Sequence, residues 1–264
     1  MKAGFIQFAP KLGELDTNIK KIESFADQFK EADLLVMPEL CNSGYNFKSA
    51  KQAFDTSEQI AKSEFVRFLE SICKEYSLFI VSGFNERDGT DLYNSSVLIG
   101  PGGFIGKYRK LHLFMNEKKY FKPGNAGLPV FDIGICRVGM LVCFDWTFPE
   151  AWRILMLKKA DIICHPSNLV LPGLCQRAIP IHSLTNRLYI VTANRIGTED
   201  DLTFTGFSTI SNPRGEILYQ AKEDKEEVKI IDIDVSLARD KKITEMNDMI
   251  EDRRPELYTQ LIIE

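Results

Sequence analysis

Three apolar segments each run into polar or reactive side chains. LLVMPE ends at Glu39, GMLVC at Cys143, and IICHPSN at His165 and Asn168. Read as strands of an α/β sheet, they deliver a carboxylate, a thiol, an imidazole and an amide to one region, since sites gather beyond the carboxyl ends of such strands. A carboxylate and a thiol meeting there would serve acid–base and nucleophilic chemistry. The same pattern also arises when charged groups simply collect where strands leave a core.

The cysteines are Cys41, Cys73, Cys136, Cys143, Cys164 and Cys175. They include no C-x-x-C pair, and His112, His165 and His182 lack zinc-ligand spacing, so no metal site is expected. The reading is six free thiols in a reducing cytoplasm. Cys143 differs from the others because a helix is expected from Phe148, just beyond it. Exposed N–H groups and the positive end of that helix would favour its thiolate. Two bases are open to it. His165 is the nearest histidine, giving a Cys–His pair. Glu39 is the other, with Lys110 of RKLHLF (109–114) as the ammonium group. A lone lysine is usually a solvated surface charge, and residue types alone leave this choice open.

Helices and strands must position these groups. Apolar runs predict strands at 4–8, 34–38, 78–84, 137–144, 162–164 and 188–194, with short strands following at 206–211, 216–220 and 227–234. Segments 93–99 and 104–108 read as a hairpin turning at Gly100-Pro101-Gly102-Gly103. Helical spacing marks 18–30, 58–76, 148–159 and 175–187. The interleaving, with no linker and no repeat, predicts one α/β domain over 1–264 whose sheets are covered by helices. The glycine-rich GPGGFIGK (100–107) fits neither a Walker loop nor a dinucleotide fingerprint, and a turn explains it.

Composition limits the function classes. The 264 residues carry 33 basic against 37 acidic side chains, a net charge of −4 with no basic block, so nucleic acid is a poor partner. Mean hydropathy is −0.14 and no apolar run reaches membrane-span length, so no membrane partner is expected. The opening MKAGFIQFAP is too short for a signal peptide, so the expectation is a cytoplasmic chain starting inside its fold. Hydrophobic residues at 44% and charged residues at 27% fit an ordinary globular core.

The ordered segments MPEL with Glu39, YRKLHLF with Lys110 and LVCFDWTFPE with Cys143 resemble the three signatures of the nitrilase superfamily of carbon–nitrogen hydrolases. Further matches are GFIQFAP, DTNIKKI, FKPGN, HPSN, NRLYIVTANR, SNPRGE and DRRPELY. The resemblance implies a four-layer α-β-β-α sandwich and a homodimer or higher homo-oligomer. The dimer would form through 148–159, 175–187 and a C-terminal segment at 241–264, with Trp152, Leu155 and Leu157 taken as support for a buried helix face.

The same resemblance implies roles. Glu39 would be general base, Cys143 the nucleophile that becomes a thioester, and Lys110 with the Phe144 N–H the oxyanion donors. Glu117 would hold the lysine or position substrate and water, and no cofactor is needed. Trp146, Tyr45, Phe144 and Asn168 are the expected substrate contacts.

The substrate would be a small aliphatic amide, with a nitrile as the alternative and a non-catalytic interaction module as a further one. N-carbamoyl amino acids are disfavoured, because Asp145, Trp146 and Thr147 stand where such enzymes often place an arginine. The sequence C-F-D, where nitrilases more often have C-W-E, ranks amide above nitrile. Thr185 replaces a frequent glutamate of the family. Arg177 and Arg195 remain as possible partners for a distal substrate charge.

Overall fold

In the strand Leu34–Val36, Leu34 and Val36 join one apolar cluster while Leu35 joins another. Side chains alternate across a strand, so this segment is buried on both faces and needs a layer on each side. The computed structural model, which describes residues 1–262, supplies those layers.

The first half contains β1 (Lys2–Gln7), α1 (Leu15–Glu23), α2 (Ala26–Phe29), β2 (Leu34–Val36), α3 (Ala50–Asp55), α4 (Glu64–Tyr76), β3 (Phe79–Asp88), β4 (Asp91–Gly100) and β5 (Gly103–Arg109). The second half contains β6 (Val130–Asp132), β7 (Arg137–Met140), α5 (Pro149–Leu157), β8 (Ile162–Ser167), α6 (Leu174–Asn186) and β9 (Tyr189–Asn194). It continues through the small hairpin β10 (Thr198–Glu199) and β11 (Leu202–Thr203). Then come β12 (Thr209–Ser211), β13 (Ile217–Gln220), β14 (Glu227–Asp232) and α7 (Ser236–Arg239).

Two six-stranded sheets form, ordered β14-β1-β2-β3-β4-β5 and β13-β12-β9-β8-β7-β6. Each has three parallel central strands, β1-β2-β3 and β7-β8-β9, flanked by antiparallel neighbours. Phe5, Leu34, Val36, Val81 and Leu98 of the first sheet share one core with Val138, Met140 and Val191 of the second. Trp152, Leu155 and Ile179 bring α5 and α6 onto that same core from the far side of the second sheet. Ile6, Leu35, Ile80, Val97 and Ile99 turn the other way, against Ile22, Phe29, Phe65, Leu69 and Ile72 of the first-half helices. This is the expected four-layer α-β-β-α sandwich. Among the described residues no helix is long and apolar enough to cross a membrane. All six cysteines are free and buried.

Several boundaries differ from the sequence reading, each for a local reason. The single helix expected over 18–30 is broken after Glu23, where the Ser24 hydroxyl donates to the Lys21 carbonyl at 2.7 Å and competes with the backbone ladder. The helix expected from Glu58 starts at Glu64, because Ser63 caps it by accepting the Val66 N–H at 3.0 Å. The strand expected over 137–144 stops at Met140: Asp145 claims the Val142 N–H at 2.9 Å and bends Cys143–Thr147 into a 3-10 turn. The helix α3, capped by Ser49, was not predicted. Residues 241–262 form a bridge and two 3-10 turns, while residues 263–264 of the expected C-terminal segment lie outside the described residues.

Candidate active site

Glu39 arrives three residues after β2. The ladder continues one residue past the strand, with the Met37 N–H on the Val81 carbonyl at 2.8 Å, and then Leu40 takes the left-handed conformation (φ 48°). The turn lies directly on Gly83 of β3, where a Cβ would stand 2.3 Å from the Glu39 Cα. Only glycine permits that approach. Lys110 follows β5 immediately. Its N–H donates to the Asn94 carbonyl and its own carbonyl accepts from Gly124, both at 2.8 Å. A Cβ on Gly124 would come within 2.0 Å of the Arg109 carbonyl, which gives the glycine of FKPGN its reason. Arg109 itself is clamped by Glu86 at 2.6 and 3.0 Å, so the strand end before Lys110 is anchored.

Cys143 sits at the turn between β7 and α5 with φ 45°, a conformation an L-residue adopts only when its surroundings enforce it. Asp145 is the enforcer on one side. One carboxylate oxygen accepts the Val142 N–H at 2.9 Å and the Tyr108 hydroxyl at 2.7 Å, and the other contacts His112 Nδ1 at 2.7 Å. On the other side His165 Nε2 lies 2.9 Å from the Cys143 carbonyl oxygen. Burial pushes the His165 pKa down to about 4, so the ring is neutral and its Nε2–H donates. The Phe144 N–H has no acceptor among the described residues.

These elements converge on one buried cluster. Lys110 Nζ is 2.8 Å from Glu39 Oε1 and 2.7 Å from Glu117 Oε1. Asn94 Nδ2 donates to the same Glu39 oxygen at 2.6 Å, and Tyr45 Oη donates to the same Glu117 oxygen at 2.8 Å. The Phe114 N–H reaches Glu117 Oε2 at 3.2 Å. Glu39 Oε2 is buried and has no partner among the described residues. Burial works against the Lys110 charge, but Glu117 and Glu39 outweigh it and hold the ammonium above the ordinary lysine range. Burial, opposed by Lys110 and aided by Glu39, raises Glu117 to about 6. Burial and the Glu39 charge push the Cys143 thiol well above its usual value, against Lys110. Desolvation thus outweighs the helix-end effect that would favour the thiolate, and the sulfur is held toward its thiol form.

Two small pockets open onto the cluster. One is lined by Cys143, Phe144, Trp146, Asn168 and Leu169; the other by Tyr45, Asn46, Phe47, Glu117 and Tyr120. Phe114 and Val170 border both, and neither lining contains a lysine or arginine. Among the described residues no group of three His, Cys, Asp or Glu side chains is arranged to hold a metal ion.

The carbon–nitrogen hydrolase family profile matches residues 2–242. The chain belongs to that family. A protein of Pyrococcus abyssi named nitrilase is 45% identical over 260 residues, covering 98% of this chain and 99% of its own. An (R)-stereoselective amidase of a Pseudomonas species is 32% identical over 258 residues, with 96% and 92% covered. The crystal structure of a carbon–nitrogen hydrolase from Helicobacter pylori G27 superposes with a TM-score of 0.88 at 26% identity, covering 99% of this chain and 98% of that one.

In this carbon–nitrogen hydrolase, Glu39, Lys110 and Glu117 are in direct contact, and Cys143 lies where Glu39 and Lys110 are the strongest charges on its sulfur. Phe144 and Trp146 line the Cys143 pocket, whereas Tyr45 belongs to the Glu117 pocket. Asn168 also lines the Cys143 pocket, and its Nδ2 is spent on the Glu39 carbonyl at 2.9 Å. Arg195 is no partner for a distal substrate charge: it is buried and paired with Glu199 at 2.6 Å. Trp152 and Leu155 pack inside the subunit, Trp152 stacking on His182 at 4.6 Å, so of the α5 residues taken to support an interface only Leu157 points outward. The sequence reading missed Asn94, Asp145, Tyr108 and His112. The last three stood inside the quoted segments, but only the fold shows that they meet.

Proposed function

We propose that the chain hydrolyses the carbon–nitrogen bond of a small neutral aliphatic amide through a thioester on Cys143. Glu39 Oε2 takes the thiol proton as Sγ attacks the carbonyl carbon. The oxyanion meets the third N–H of Lys110, whose other two face Glu39 and Glu117, and the unbonded Phe144 N–H. Glu39 returns the proton to the leaving nitrogen, ammonia departs, and a water deprotonated by Glu39 releases the acid.

The observation that carries the amide reading is a pair of orphaned acceptors. Glu39 Oε2 and Asn168 Oδ1 are both buried and both without a partner among the described residues. An amide brings N–H donors to match them, whereas a nitrile brings none and leaves buried acceptors unpaired, a cost of about 1–3 kcal/mol each. A pocket lining free of cations argues in the same direction against a carboxylate beside the scissile bond. The 45% identity to a protein named nitrilase favours the second reading, a small nitrile.

The test compares kcat/KM for propionamide, propionitrile, an N-carbamoyl amino acid and a dicarboxylic monoamide, with Cys143→Ala as the control. The amide is expected to lead and the control to be inactive. A tenfold lead for the N-carbamoyl amino acid ends the neutral-substrate reading, and a lead for the nitrile reverses the ranking while keeping the chemistry. Turnover by Cys143→Ala removes the mechanism.

A further inference from the structure

Glu39 and Lys110 follow separate strands, β2 and β5, yet one residue holds both. Asn94, in the middle of β4, accepts the Lys110 N–H on its main-chain carbonyl at 2.8 Å and donates from Nδ2 to Glu39 Oε1 at 2.6 Å. It is 1% exposed, beside a fully buried Glu39. Its backbone is itself pinned, since Asn94 pairs with Asn85 across the β3–β4 ladder and the Asn85 N–H is held by Asn42 Oδ1 at 2.8 Å. The amide orientation is unambiguous: with nitrogen and oxygen exchanged, Oδ1 would face a carboxylate oxygen.

The consequence falls on Glu39. A carboxylate with two equivalent oxygens can rotate and offer either. Here Oε1 is saturated by Lys110 Nζ and Asn94 Nδ2, whereas Oε2 has no partner among the described residues. Lys110 alone fixes this less firmly, because its ammonium is a point charge shared with Glu117 at 2.7 Å and sets no plane for the carboxylate. A planar amide on a pinned strand does set one.

We infer that Asn94 is the positioning residue of the site: it makes the two oxygens of Glu39 inequivalent and leaves Oε2 as the one that exchanges a proton with Cys143. The inference rests on the proposed roles of Glu39 and Cys143. The ionisable groups acting on Glu39 are Lys110, Glu117, Cys143, Tyr45 and Arg195, and the Asn94 side chain hydrogen-bonds to none of these five.

Two variants read this out. Asn94→Ala removes the donor, and Asn94→Asp keeps the shape while placing a like charge against Oε1. Both disfavour the ionised base, so both should move the acid limb of kcat/KM for propionamide upward by about one pH unit, Asn94→Asp further than Asn94→Ala. They should lower kcat at least tenfold while KM changes by less than about threefold, as for an interaction used in the transition state. The pH dependence of Cys143 alkylation by iodoacetamide should shift in the same direction without needing turnover. Folded variants whose acid limb and alkylation profile match the wild type overturn the inference, whatever their rate. Loss of the fold in both also overturns it, since the residue would then serve stability. An active Cys143→Ala instead removes the underlying reading, and an inactive one beside unshifted Asn94 variants removes this inference alone.

Discussion

His165 reaches Cys143 at its carbonyl oxygen, 2.9 Å from Nε2, and not at its sulfur. The imidazole is spent on holding the turn, with Nδ1 accepting from Thr192 Oγ1 at 3.1 Å. A Cys–His couple, open from residue types alone, has no geometric support.

Replacing His165 should therefore cost stability before chemistry. His165→Ala is expected to unfold about 2–4 kcal/mol more easily while retaining measurable turnover, unlike Cys143→Ala. The depressed pKa adds a signature. The unfolded chain takes this proton near 6.5 and the folded chain only near 4, so stability is lost as pH falls through that window, by up to about 3 kcal/mol. Chemical denaturation between pH 7 and 4 should show a shallower loss in His165→Gln. An inactive but fully folded His165→Ala would return the imidazole to the chemistry.

Lys110 balances two buried carboxylates. Lys110→Ala should cut kcat/KM a hundredfold or more, and it should also destabilise the fold by about 3–5 kcal/mol because Glu39 and Glu117 lose their cation. Glu39→Gln should match the loss of rate. The triple variant Lys110→Met, Glu39→Gln, Glu117→Gln should recover thermal stability without activity. Wild-type rates in a folded Lys110→Ala protein would contradict the oxyanion role.

Glu117 sets a pH limit. Raised to about 6 from a usual 4.5, it is protonated in the fold before it is in the unfolded chain, so its stability contribution falls as pH rises from about 4.5 to about 6. Tyr45→Phe removes a donor to the ionised form, so this stability window should move upward in chemical denaturation between pH 4 and 7. A window that stays in place in Tyr45→Phe would show that Glu117 does not govern it.

An oligomer is expected through the α5–α6 face. Ile154, Leu157, Ile181 and Leu184 are exposed there, and Tyr258 and Leu261 of the C-terminal segment border the same groove as Leu157 and Ile154. Light scattering at micromolar concentration should give at least twice the 30.1 kDa chain mass. A charge on that face, as in Leu157→Asp, should reduce it. A strictly monomeric wild type ends this expectation.

Much of the fold was readable because strand and helix periodicity survives in short windows. Val36, Met140 and Cys164 lie in apolar runs whose neighbours bury both faces, and such runs need no tertiary information to be recognised. Glu39 and Cys143 stood out because each ends such a run, whereas the choice of Glu39 over His165 and the part given to Lys110 came from the resemblance to a known family. The contacts around them were not legible. Asn94 lies 55 residues from Glu39, and its role depends on which of its two neighbouring strands turns back over it. Boundaries failed where one side chain captured a backbone group, as Asp145 does with Val142 and Ser63 with Val66.

A single ammonium group serves two carboxylates in this cluster, and the two pocket linings add no cation. When both carboxylates are ionised the chamber carries a net negative charge. Under the proposed hydrolysis, a newly formed carboxylic acid that ionises there would be repelled by the two carboxylates, and the chamber would empty itself of its own anion. This expulsion should weaken as Glu117 takes up its proton, and inhibition by added propionate should tighten below about pH 6.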